Sequence, residues 1–240
     1  MNIALYDYGA GNLHSLGKAL AAGGASVLVT RSWTEALGQH GLVLPGVGAF
    51  GAAVRSLLGE RVRVRDALQN GLPCLGICLG MQILFDSSEE GEGEGIGIIP
   101  GTVRRLRARV IPQMGWNDVR VPAGPAAPEG FGEAPARAVR GQARGRVIPA
   151  GVAATPSART AAPSPDPLFR GQTGLVAYFA NSYVCAPQDP STVVATTEYQ
   201  GDVFPAAVRL GRTWGVQFHP EKSSAPGLAL LRNFLHEVRS

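Results

Sequence analysis

The chain has 240 residues, 45% of them hydrophobic and 17% charged, with a net charge of +4. That length buries an ample core as one domain, 1–240, and no apolar run is long enough to cross a membrane. The basic excess is nearly all arginine, scattered and without interleaved aromatics, which argues against a nucleic-acid surface.

The N-terminal third alternates strand and helix. Ile3 to Tyr6 reads as a strand; Met1 to Leu5 has no basic start and runs straight into it, so it does not read as a signal peptide. The loop Asp7-Tyr8-Gly9-Ala10-Gly11-Asn12 follows, then a helix with Leu13, Leu16 and Leu20 on one face, ended by Gly23-Gly24. Ser26 to Thr30 is the next strand. Ser32-Trp33-Thr34-Glu35 matches a capping box and opens a short helix. Gly41 to Leu44 is a third strand, running into Pro45-Gly46-Val47-Gly48-Ala49-Phe50-Gly51, and Gly51 to Asn70 is predicted helical. This rhythm calls for an α/β fold with a mostly parallel central sheet and helices on both faces. In such sheets ligands sit beyond the carboxyl ends of the strands.

The stretch Pro73 to Gln82 carries the first chemistry. A short apolar run ends in Gly76-Ile77-Cys78-Leu79-Gly80, and helix-forming residues continue to Phe85. This G-x-C-x-G is the cysteine form of a nucleophile elbow, a sharp strand-to-helix turn that pushes one side chain into the open. Glycines flank it because a tight turn has no room for a Cβ. At a helix N-terminus the dipole and free N–H groups favour the thiolate of Cys78. The alternative is an inert cysteine buried in a βα unit. Cys74 and Cys185 read as core residues; three cysteines without framework spacing point to a reducing compartment, the cytoplasm.

Beyond the elbow, residues 87–95 form an acidic, glycine-rich loop. Strands are predicted at Thr102 to Val110, Trp116 to Val121, Leu175 to Val184, Thr192 to Glu198, Ala206 to Leu210 and Thr213 to Phe218, forming a smaller antiparallel or mixed sheet beside the parallel one. Leu228, Leu231 and Leu235 stripe a closing helix. Pro122 to Pro167 holds half of the chain's 18 prolines and lacks apolar periodicity, so it reads as an insertion, at about 122–167, without fixed structure.

The last strand ends in Gln217-Phe218-His219-Pro220-Glu221-Lys222. Pro220 biases His219 to extended backbone, where residues two apart face the same side. His219 and Glu221 therefore address one point. A cysteine nucleophile needs a base and the base an orienter, and Cys78, His219 and Glu221 supply all three. Attack on an amide carbon creates an oxyanion that needs preorganised donors. The N–H of Leu79 is one candidate, and the glycine-rich loop with Val47 and Gly48 offers another. No metal and no organic cofactor is called for.

Taken together, Asp7 to Asn12, Leu44 to Gly51, Gly76 to Gln82, Met114-Gly115-Trp116-Asn117 and Gln217 to Ser223 resemble the class I (triad) glutamine amidotransferases, most closely the glutaminase subunits of imidazole glycerol phosphate synthases. The resemblance spans the chain except its middle. It implies hydrolysis of glutamine to glutamate and ammonia by Cys78, His219 and Glu221, and a heterodimer with the cyclase subunit, a (β/α)8 barrel that makes imidazole glycerol phosphate and an aminoimidazole carboxamide ribotide in histidine biosynthesis. It also implies that Gly46, Gln82, Glu90, Ser182 and Tyr183 bind glutamine, and that Asn12, Gln113, Met114, Trp116 and Lys222 meet the partner. Two positions depart from the pattern: Gln113 and Asn181 stand where the family usually has histidine. Three alternatives stay open: another triad amidotransferase such as the glutaminase of pyridoxal phosphate synthesis, a cysteine peptidase, and a binding module with no activity.

Overall fold

The computed structural model describes residues 1–9, 13–46, 48, 50–122, 166–172 and 174–240. The first half lays down β1 (Asn2–Tyr6), α1 (His14–Ala22), β2 (Ser26–Thr30), α2 (Trp33–Leu37), β3 (Gly41–Leu44), α3 (Phe50–Ser56), α4 (Arg61–Gln69), β4 (Cys74–Ile77), α5 (Leu79–Gln82) and β5 (Ser87–Ser88). The second half adds β6 (Gly101–Arg105), β7 (Gln113–Arg120), β8 (Gly174–Asn181), β9 (Tyr183–Pro187), β10 (Val193–Tyr199), β11 (Asp202–Leu210), β12 (Thr213–Val216) and α6 (Ser224–Arg239). Nine strands form one sheet in the order β2-β1-β3-β4-β12-β11-β10-β7-β8, and β5-β6-β9 form a second. Pairing is parallel from β2 to β12 and antiparallel from β12 to β8. Most of the antiparallel strands thus extend the central sheet, and the separate layer is the small mixed one.

Alternate residues of the parallel strands feed two cores. Ile3, Leu5, Val43, Leu75 and Ile77 pack with Leu16 and Leu20 of α1 and with Leu230, Leu231, Phe234 and Leu235 of α6. Ala4, Tyr6, Leu42, Leu44 and Cys74 face the other way, toward Trp33, Val54, Val64 and Leu68. A strand buried on both faces reads as a continuous apolar run, as these do.

Several expectations are corrected. Gly51 to Asn70 is two helices, because the chain turns between Ser56 and Arg61 with Gly59 at φ +79°. Leu175 to Val184 is two strands in different sheets, broken at Ser182. Leu228 of α6 is exposed; the buried stripe is Gly227, Leu230, Leu231, Phe234 and Leu235. The expected insertion lies almost wholly outside the described residues, but its last two are firmly placed. Asp166 Oδ1 accepts from the Leu168 N–H and from Trp214 Nε1, and its Oδ2 accepts from Arg209. Leu168 and Phe169 follow it into the core.

Candidate active site

β1, β3, β4 and β12 point the same way, so the segments after them meet at one edge of the sheet. The register Val216↔Ile77 puts the ends of β12 and β4 side by side. Cys78 therefore lies next to the chain that reaches His219, although 140 residues separate them in sequence.

Cys78 has φ 47° and ψ −104°, a left-handed conformation costly for any residue with a Cβ. It is held there from both sides. The Cys78 N–H donates to the Val216 carbonyl at 2.7 Å, and the Gln82 N–H donates to the Cys78 carbonyl at 3.0 Å. The elbow glycines fit the expected steric reason: a Cβ on Gly76 would come within 2.5 Å of the Gly80 carbonyl, and one on Gly80 would overlap the Leu44 carbonyl. The helix after the elbow is shorter than expected, a single turn over Leu79–Gln82. Few peptide dipoles add up there, so support for a thiolate must come mainly from side chains.

His219 is buried, and its Nδ1 lies 2.9 Å from Glu221 Oε1. Burial pulls the imidazole down, but hydrogen bonds to Cys78 and Glu221, with their charges, raise it to about 9. Ser223, which sequence reasoning left without a task, is wholly buried. Its Oγ donates to the His219 carbonyl at 2.6 Å and accepts the Tyr178 N–H at 2.9 Å, while the His219 N–H donates to the Tyr178 carbonyl at 2.9 Å. The base is thereby tied to β8. The only hint in the sequence is a small polar residue following the His-Pro-Glu-Lys run.

The folded state holds a proton on His219 up to about pH 9, against 6.5 for a free imidazole. It thus binds more protons than the unfolded chain between those values. This stabilisation is full below pH 6.5 and is lost as pH rises through 9. Glu221→Gln removes part of the cause. The Tm gap between wild type and Glu221→Gln should therefore be widest near pH 6.5 and shrink toward pH 9. Calorimetry across that range checks this; a constant gap would mean that His219 gains no proton through Glu221.

A cavity of about 220 Å3 opens beside Cys78, lined by Gly46, Gly48, Leu79, Gln82, Glu90, Ala180, Asn181, Ser182 and Tyr183. Every described residue expected to bind substrate or oxyanion lines it. Val47 and Asn12 lie outside the described residues. Gln82 spends its amide N–H on the Tyr183 carbonyl at 3.2 Å, and Asn181 donates to the same carbonyl at 3.2 Å. Glu90 stands at the rim; partial burial raises its carboxyl and the Phe50 N–H pulls it down. Gly46 presses on the centre: a Cβ there would sit 2.9 Å from Cys78 Cβ, His219 Cε1 and the Ile77 carbonyl.

The expected partner-facing residues divide. Met114 and Trp116 are exposed on one face of β7, beside Val176 and Tyr178 of β8. Trp116 meets Tyr178 edge-on at 6.1 Å, and Lys222 Nζ lies 5.7 Å over the same ring. Gln113 is a correction: it is buried, on the interior face of β7 opposite Asn181. The strand predicted from Trp116 begins earlier, at Gln113, so Trp116 lies within it. Asn117 anchors that strand, donating to Thr197 Oγ1 and the Glu198 carbonyl. Cys74 and Cys185 are buried, free and pushed up by burial, as expected of core thiols.

The family profile Glutamine amidotransferase class-I matches residues 4–238. The chain is 39% identical to "Imidazole glycerol phosphate synthase subunit HisH" of Moorella thermoacetica, over 99% of the chain and 95% of that relative. It is 37% identical to the subunit of the same name in Synechococcus elongatus, over 98% and 93%. Among solved structures, a glutamine amidotransferase superposes with a TM-score of 0.65 at 17% identity, covering 99% of this chain and all of that one. The glutaminase domain of Trypanosoma brucei CTPS, with bound acivicin, superposes at 0.61 and 16% identity, covering 100% and 94%.

Proposed function

The chain belongs to the class-I glutamine amidotransferase family, and on that premise we propose that it is the glutaminase subunit of an imidazole glycerol phosphate synthase. It hydrolyses glutamine to glutamate and ammonia and delivers the ammonia to a cyclase subunit, whose lyase chemistry serves histidine biosynthesis. The observation that carries the reading is the conjunction at one sheet edge of a strained cysteine, a Glu221-held His219 and a small cavity. At about 220 Å3 the cavity is below the roughly 300–1,000 Å3 typical of drug-sized ligands, which suits a single amino acid better than a peptide.

The residues divide the work. Cys78 Sγ, as thiolate, adds to the carboxamide carbon, and the electron pair moves onto the carbonyl oxygen. Donors from Leu79 N–H and the Gly46–Gly48 loop receive that charge. The carbon–nitrogen bond breaks as His219 gives its proton to the leaving nitrogen, and ammonia departs. Water then adds to the thioester, its proton going to His219, and the carbon–sulfur bond breaks to free glutamate and regenerate the thiolate. Glu221 keeps the imidazole oriented and stabilises its charged form. Glu90 suits the cationic α-amino group of glutamine, and the Gln82 carbonyl is left to face the substrate.

Ammonia released into neutral water is largely protonated and no longer nucleophilic, so the site gains from docking against its acceptor. The face carrying Met114, Trp116, Val176 and Tyr178, with Lys222 at its edge, supplies an apolar surface with an aromatic anchor. We place the protein in the cytoplasm, in keeping with three free buried thiols.

The test is ammonia production by the chain alone, with cyclase, and with cyclase plus its nucleotide ligand. The rate should rise at each step, with coupling of roughly 1–3 kcal/mol, about 5–150-fold. Trp116→Ala should weaken the complex by about 2 kcal/mol. Equal rates in all three mixtures would describe a free-standing glutaminase and remove the role assigned to this face.

A further inference from the structure

Gln217 has no part in the chemistry described so far. It is completely buried, between the end of β12 and His219. Its backbone N–H donates to the Ala206 carbonyl at 2.9 Å, which fixes its Cα against β11. Its side chain reaches the nucleophile, with Nε2 lying 3.5 Å from Cys78 Sγ. Its Oε1 is buried and has no hydrogen-bond partner among the described residues.

That arrangement is poor for stability alone. A buried carboxamide with one unsatisfied oxygen loses its hydration there, and a neutral contact to sulfur returns little of it. Half-satisfied buried polar groups in native proteins ask for a functional reason. The sulfur supplies one. A thiolate on the buried Cys78 is an anion, and N–H donors aimed at it favour the charged form. Besides His219, the sulfur also has the Ala180 carbonyl at 3.9 Å, an acceptor that favours the neutral thiol. The single helical turn after Cys78 adds little dipole.

We propose that Gln217 is a positioning residue for Cys78, its carboxamide N–H holding the sulfur in line with His219 and stabilising it as the thiolate. The same hydrogen bond serves twice. It holds the attacking sulfur before glutamine is cleaved. It stabilises the negative charge on Sγ when the thioester carbon–sulfur bond breaks and its electron pair returns to the sulfur. Within the acyl-enzyme the sulfur is neutral and the bond weakens, so the interaction is strongest where charge is on the sulfur. Because Gln217 is two residues before His219, one short segment sets both the sulfur's donor and its base.

The inference rests on Cys78 being the nucleophile, and the experiment separates the two. The full chain, in complex with its cyclase, carries Gln217→Met, which keeps length and removes the donor, or Gln217→Glu, which keeps shape and replaces the donor with an acceptor. Alkylation of Cys78 by iodoacetamide is followed by mass spectrometry from pH 5 to pH 10, together with the pH profile of glutaminase kcat. The alkylation midpoint should rise by about one pH unit in Gln217→Met, a tenfold loss of rate on the acid limb, and further in Gln217→Glu. A profile that coincides with wild type, in variants with native near-UV circular dichroism, would overturn the proposal. If neither variant folds, the wild-type protein decides: the Gln217 side-chain amide resonance should move with the Cys78 titration, and a resonance indifferent to it would overturn the proposal. Full activity in Cys78→Ala would instead sink the nucleophile assignment, whatever Gln217 does.

Discussion

Cys78→Ala is expected to abolish ammonia release from glutamine, with kcat falling by roughly 10^4-fold or more. The reason is geometric. Cys78 alone among the three cysteines lies at the cavity beside His219, in the strained elbow conformation. Alanine keeps the Cβ that the elbow already accommodates, so the fold should survive and only the sulfur is lost. Cys74 and Cys185 are buried in the second core and do not line the cavity beside Cys78. Replacing either with alanine leaves a small void, costing about 1–3 kcal/mol of stability, while kcat stays within a few-fold of wild type. The assay is ammonia release with cyclase present, alongside thermal unfolding of all three variants. Wild-type kcat in Cys78→Ala, or loss of kcat in a stable Cys74→Ala, would reverse the assignment.

The second large effect is expected from Gly46→Ala. Its added Cβ would lie 2.9 Å from Cys78 Cβ, His219 Cε1 and the Ile77 carbonyl. Two of those neighbours do the chemistry and the third is backbone, so none can give way harmlessly. Relief means displacing the triad or the loop that carries Gly48. A displacement near 1 Å costs on the order of 10^2 in rate, and crowding of this kind costs about 1–3 kcal/mol of stability. We therefore expect kcat to fall about 100-fold in a protein that still folds, with Cys78 still open to alkylation. Gly51→Ala is the control: among the described residues its Cβ would find only Arg55 Nη1, at 3.5 Å, and its kcat should match wild type. Equal kcat for both variants would show that Gly46 is spacing and not a wall of the site.

The parts of this molecule that the sequence made legible are those encoded locally. β2 and β3 are short apolar runs, and their bounds were found to within a residue. Cys78 between its two glycines declares itself because neighbouring residues impose the geometry; His219 is extended as Pro220 dictates, but Glu221 reaches it from a 3-10 turn over Pro220–Lys222 and not along an extended segment. What escaped is decided at a distance. The break at Ser182 is marked in the sequence only by Ala180-Asn181-Ser182 within a run of strand formers, and pairing with two different sheets reveals it. Met114-Gly115 precedes the predicted strand start at Trp116, yet β8 holds it in an eight-residue ladder. Gln113 looks like a surface amide and is interior, because its register partner Asn181 faces inward. Gln217 and Ser223 gain their roles only from atoms that lie elsewhere in the sequence.

The position of β12 has a consequence for how the chain comes into being. It is the last strand made, yet it lies in the middle of the sheet, between β4 and β11. As the protein leaves the ribosome, the parallel strands up to β4 can pair, and so can β7, β8, β10 and β11. The two groups have no strand in common until residues 213–216 arrive. Through that interval both flanks of the gap present open backbone groups, the kind of edge that recruits strands from other chains. During the same interval Cys78 has neither base nor donor, because His219 and Gln217 are carried in by that last strand. A half-made chain therefore holds a cysteine that has not yet become a nucleophile, and reactivity arrives together with the closing of the sheet.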